Sequence, residues 1–123
     1  MKAGEATLVC QKGGHGVFGR IRLQLEELDK SELIINYNEG VEFKYSWRYA
    51  VQEGAECALR FLRRGSKAKG LSIQVFDIDW HHEDTTEQVI KFITAKAIFN
   101  ATGFMPEPEL SIDKNGNFTF PEI

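Results

Sequence analysis

Between two strand-like segments lies the run Gly13-Gly14-His15-Gly16-Val17-Phe18-Gly19, and the residues after it constrain the fold. The spacing contains G-x-G-x-x-G, a pattern tied to phosphate binding when a helix opens directly after the last glycine. Here the next residues are Arg20-Ile21-Arg22-Leu23-Gln24-Leu25-Glu26, alternating polar and apolar with period two. That is the pattern of a half-buried strand, not of a helix. The glycines therefore sit in a strand-to-strand connection, and a dinucleotide site is not expected. A kinase-type glycine loop also joins strands, but the chain has neither H-R-D nor D-F-G.

The alternation places Ile21, Leu23 and Leu25 on one face and Arg20, Arg22, Gln24 and Glu26 on the other, as in an antiparallel sheet with one wet face. A first strand is expected over 5–12, a second over 17–27 and a third from Leu33 to Tyr37. Val41, Phe43 and Tyr45 alternate with Glu42, Lys44 and Ser46, so extended structure is expected to resume after Gly40. From Trp47 to Arg64 the period becomes helical, with Val51, Ala55, Ala58, Leu59 and Leu62 on one face. Gly54 interrupts this helix at a cost of about 1 kcal/mol relative to alanine, which implies close packing, expected against the sheet. A fourth strand runs from Leu71 to Trp80. Asp84-Thr85-Thr86-Glu87 reads as a capping box with Asp84 as N-cap, opening a second helix that Gly103 ends. Asn115-Gly116, between Leu110–Ile112 and Phe118–Phe120, predicts a terminal hairpin. The order β-β-β-α-β-α plus hairpin gives an α+β fold, two helices over one face of a four-stranded, mostly antiparallel sheet.

At 123 residues the chain suits a single domain over 1–123. No apolar run is long enough to span a membrane. Cys10 and Cys57 lie far apart within elements and read as buried free thiols of a reducing cytoplasm. The formal charge of −3 argues against a general nucleic-acid binder, yet Lys44 to Lys69 holds seven basic residues against Glu53 and Glu56. Within that segment Arg60, Arg63, Arg64 and Lys67 recur at helical spacing. Such a stripe suits RNA phosphates, and equally a solvated helix C-terminus. Tyr45, Trp47 and Tyr49, beside Arg48, suit base stacking or the join between sheet and helix.

Three segments, in order, resemble domain IV of the translational GTPase elongation factor G. They are the glycine run, Ala50-Val51-Gln52-Glu53-Gly54, and Trp80-His81-His82-Glu83-Asp84-Thr85-Thr86-Glu87. The likeness covers roughly residues 8 to 104, leaving 105–123 as a hairpin extension. It implies a two-layer fold with a left-handed βαβ crossover. It also implies a rigid arm whose tip enters the decoding region of the ribosome, with His81 at that tip and a facing loop near Gly40 to Phe43. The chain as given carries no G-x-x-x-x-G-K-[ST] and lacks the family's usual tip proline.

The expectation is a cytoplasmic, non-catalytic binding module without cofactor. It would contact the ribosome or structured RNA through His81, His82, Gly40, Lys44, Arg48, Arg60, Arg63, Arg64 and Lys67. One alternative is a protein-interaction or homo-oligomerisation domain that does not bind RNA. Another is a metal-dependent enzyme built on Asp77, Asp79 and His81, because oxygen and imidazole ligands at that strand spacing suit a divalent ion.

Overall fold

The computed structural model describes residues 1–12, 14–65 and 68–121. Its elements are β1 (Lys2–Lys12), β2 (His15–Leu28), β3 (Leu33–Tyr37), α1 (Trp47–Gly65), β4 (Gly70–Asp79), α2 (Glu87–Thr102), β5 (Ser111–Ile112) and β6 (Phe118–Thr119). The four-stranded sheet has the order β1-β2-β4-β3, and β5-β6 form a separate hairpin. β1 pairs antiparallel with β2 from Lys2↔Leu25 to Lys12↔His15, so the turn falls at the start of the glycine run, while Gly16 and Gly19, expected in the connection, lie inside β2 opposite Gln11 and Leu8. Gly14 takes the positive φ of 80° that this turn requires. β2 pairs antiparallel with β4, with an irregularity between Arg22 and Leu23 opposite Phe76, and β3 pairs parallel with β4.

Both helices cover the face that carries Ile21, Leu23, Leu25, Leu71, Ile73 and Val75, all almost wholly buried. Hydrogen bonding sets the hand of the β3-α1-β4 crossover. Leu71 N–H donates to Glu32 C=O at 2.9 Å, and Val75 C=O accepts from Asn38 N–H at 2.9 Å. The β4 residues whose side chains enter the core therefore turn their peptide groups toward β3. For L-residues this puts β3 to the right of β4, viewed from the helix side with both strands pointing up. The crossover thus moves leftward and is left-handed, against the usual rule for parallel pairs.

The other sheet face bears ion pairs. Arg20 bridges Glu5 at 2.8 Å and Asp79 at 3.0 Å, and Arg22 meets Asp77 at 2.5 Å. Exposed pairs of this kind are screened by solvent, add little to stability and mainly keep this face wet.

Three local expectations change. No strand forms over 41–45: Val41 and Phe43 pack on the core, while Glu42 gives its carbonyl to the Trp80 indole N–H at 2.8 Å. Gly54 packs against α2 rather than the sheet, since a Cβ there would lie 2.5 Å from the Lys91 carbonyl oxygen. The N-cap of α2 is Thr86, whose hydroxyl accepts from Val89 N–H at 3.3 Å, and not Asp84. Asp84 instead gives its carbonyl to Phe18 N–H and sets its carboxylate beside Gly16 and His81. Gly103 ends α2 in the left-handed conformation, as expected.

α2 is buried nearly all round because the C-terminal segment covers its outer side. Phe92 packs on Phe118 at 5.4 Å and on Phe120 at 6.3 Å, and Lys91 lies 4.1 Å from the Phe120 ring. Both cysteines are free, Cys57 buried and Cys10 only half-buried. Burial pushes the Cys57 thiol above its ordinary value of 9.0, with Arg60 and Lys91 opposing. A raised value favours the neutral thiol in the folded chain, so its contribution to stability holds below pH 9.0 and is lost as the pH climbs through the folded value. Burial raises Tyr37 in the same way, against the Arg48 charge, and adds a later alkaline loss above its ordinary 10.0. Urea unfolding of Cys57→Ala between about pH 8 and about pH 10 should therefore show a shallower fall in stability than the parent chain. Equal slopes would mean the thiol is not desolvated.

Candidate functional site

The sheet topology brings three connections to one end of the molecule: the β1-β2 turn at Gly14, the β3-α1 connection over 38–46, and the β4-α2 connection over 80–86. This end is the tip. Gly40 sits at its edge with φ 89°, and nothing lies within 4 Å of where a Cβ would be. Trp80 ties two of the connections together, since its indole binds the Glu42 carbonyl and its ring meets buried Trp47 edge-on at 5.4 Å. Trp47 therefore fills the join between sheet and helix, whereas Tyr45 and Tyr49 stand out at 75% and 67% exposure.

The cations of the tip rest on rings. Arg48 lies 4.3 Å from the Tyr37 ring, 5.6 Å from Phe43 and 5.3 Å from Tyr45. Lys44 lies 5.2 Å from Trp47. Contacts of this kind stabilise by about 0.5–1 kcal/mol each at exposed sites and hold the charges in place. His81, with a side chain 68% exposed, has Nδ1 3.6 Å from Asp84 and stands edge-on to Phe18 at 6.3 Å. His82 is exposed beside it.

Thr85 locks this corner. It is 5% exposed, accepts from His81 N–H at 2.8 Å and donates to Phe18 C=O at 2.6 Å. Thr85, Phe18 and Tyr37 are tip residues that sequence reasoning did not single out. The available signals were the threonine inside the capping pattern and the aromatic inside the glycine run.

The expected contact set divides. His81, His82, Gly40, Lys44 and Arg48 share the tip, and Arg60, Arg63 and Arg64 lie toward the opposite end of α1. A helix of 19 residues spans about 28 Å. Arg63 is engaged there, donating to Lys69 C=O at 2.8 Å and to Ser31 Oγ at 3.0 Å. Lys67 lies outside the described residues.

Asp77 and Asp79 share the open sheet face, where each is taken up by an arginine, and His81 lies beyond the strand. Among the described residues no three His, Cys, Asp or Glu side chains converge as a ligand set. Among the described residues no helix is long and apolar enough to cross a membrane.

No family profile and no curated protein matches the sequence. A crystal structure of a protein from Thermus thermophilus matches with a TM-score of 0.62 over 79% of this chain, at 23% identity. The likeness is one of fold. The match spans only 15% of the Thermus chain, so this architecture there forms a small part of a longer protein.

Proposed function

We propose that the protein is a non-catalytic binding module whose tip docks on structured RNA, the ribosome being the setting that the likeness to elongation factor G domain IV implies. The carrying observation is that exposed Tyr45 and Tyr49, the cations Lys44 and Arg48, and exposed His81 and His82 stand on or next to connections gathered at one end, two of them joined by Trp80. Glu39, Glu42 and Glu83 share that end, so net charge there is modest and the rings carry most of the contact. Stacking of this kind contributes about 1–3 kcal/mol per base, and phosphate contacts add a salt-dependent part.

Co-sedimentation with ribosomal subunits at low salt tests the reading. Tyr45→Ala and Tyr49→Ala should each weaken binding by about 5- to 150-fold, the range set by one lost stacking contact. Lys44→Glu should weaken it further and flatten its salt dependence. Arg60→Glu and Arg64→Glu, at the far end of α1, should leave it unchanged. Absence of binding at low salt, or loss only in the Arg60 and Arg64 variants, would overturn the assignment to the tip.

A further inference from the structure

Where the open face of the sheet reaches the tip, its row of ion pairs gives way to a cleft. The β2 side chains of Phe18, Arg20 and Arg22 point to this face, and so does position 16, which is glycine. In register across from them stand Val9, opposite Phe18, and Gln11, opposite Gly16. Because Gly16 has no side chain, the Asp84 carboxylate lies over the strand there. Its carbon and both oxygens would each be 3.0 Å from a Cβ at 16, so the group sits face-on to the strand and its oxygens point along the sheet surface. Glycine inside a strand marks such a close approach. His81 Nδ1 stands 3.6 Å from one oxygen, and among the described residues no group donates a hydrogen bond to either.

The cleft measures about 400 Å³, within the range of small-ligand sites, and Val9, Gln11, Phe18, His81 and Asp84 line it. Val9 is 68% exposed although it lies inside a strand. The Phe18 and His81 rings meet at 80°, so they form a corner in which a flat ring can stack on one and touch the other. An ionised carboxylate only accepts hydrogen bonds. The occupant that fits is therefore flat, apolar on its faces and equipped with donors along one edge. Among RNA bases guanine meets this condition, since its N1–H and 2-amino group lie side by side and match two carboxylate oxygens. Adenine and cytosine place a ring acceptor beside their amino group, and uracil has one N–H between two carbonyls, so each would set an acceptor against the carboxylate. We infer that the cleft takes one unpaired guanine, stacked in the Phe18–His81 corner, with N1–H and the 2-amino group donating to Asp84. A base within a duplex has this edge already occupied, so the site selects a loop or a single strand. The inference rests on RNA docking at the tip and adds base preference to it, because stacking on Tyr45 and Tyr49 is sequence-tolerant.

Stem-loop RNAs that differ in one nucleotide of a uridine loop test this preference. Guanine in place of uracil should tighten binding about 5- to 150-fold, the range of one bidentate base contact. Inosine, which lacks the 2-amino group, should recover only part of that gain. Asp84→Asn should abolish the guanine preference while the uridine loop still binds. Gly16→Ala, whose methyl group displaces the carboxylate, should do the same with far-UV circular dichroism unchanged. In a separate titration, guanosine monophosphate should move the nuclear magnetic resonances of the His81 ring at concentrations where uridine monophosphate does not. Equal binding of all loops, or a guanine preference that survives Asp84→Asn, would overturn the cleft and leave docking at the tip standing. Absence of binding to every loop would instead overturn docking at the tip, and the monophosphates then decide the cleft: without a guanosine-specific shift it falls as well.

Discussion

Thr85→Val should lower the free energy of unfolding by about 2–4 kcal/mol, with Tm falling about 3–6 °C for each kcal/mol lost. The substitution keeps shape and β-branching, so packing is nearly unchanged and the hydroxyl alone is removed. That hydroxyl satisfies two backbone groups from different elements, His81 N–H and Phe18 C=O, at a site 5% exposed. Each group orphaned in such a place costs about 1–3 kcal/mol. The His81 amide lies near solvent, and water can recover part of its loss, which keeps the sum below the upper limit. Thr85→Ser retains the hydroxyl and loses one methyl, so it should cost about 1 kcal/mol or less. Equal losses in the two variants by urea denaturation would mean that water replaces the threonine. Thr85→Val should also weaken tip binding through His81, because its amide no longer anchors it to the β1-β2 hairpin.

Gly54→Val should destabilise the fold by about 3 kcal/mol or more, and Gly54→Ala by about 1–2 kcal/mol, against the direction that helix propensity predicts. Propensity alone favours alanine by about 1 kcal/mol inside a helix. A Cβ at this position, however, would lie 2.5 Å from Lys91 O and 2.9 Å from Thr94 Cβ. The first obstacle is a backbone carbonyl of α2, which cannot swing aside as a side chain can. Relief requires α1 and α2 to move apart along the contact that joins the two halves of the helical layer. Overpacking of this kind costs about 1–3 kcal/mol for small additions and more for branched ones, so sterics outweigh propensity. Gln52→Ala, on the exposed side of the same helix, serves as the control and should be nearly neutral. A stabilised Gly54→Ala variant would show that the helices separate freely.

Arg60 and Arg63 line a groove beside β3, and Lys44 and Arg48 stand at the tip, so the basic segment is divided along the length of α1. Charge reversal at Arg60 or Arg64 is therefore a control for RNA binding at the tip.

Local pattern alone determined the elements and their faces. Alternation of Ile21, Leu23 and Leu25 with charged neighbours marks β2, the helical spacing of Val51, Ala55, Ala58 and Leu62 marks α1, and Gly103 and Asn115-Gly116 mark a helix end and a turn. These signals are legible because they arise from groups a few residues apart in one chain segment. Tertiary structure decided the rest, since it depends on groups distant in sequence. Asp84 and Thr86 are both acceptable caps by residue type, and Phe18, arriving from β2, bonds the Asp84 carbonyl while Thr86 caps the helix. Val41 and Phe43 alternate like a strand because the core takes their side chains, but their backbone lies along no open sheet edge. Arg48 and Arg60 sit in one basic run yet serve opposite ends, because the helix between them converts sequence distance into about 1.5 Å per residue of separation.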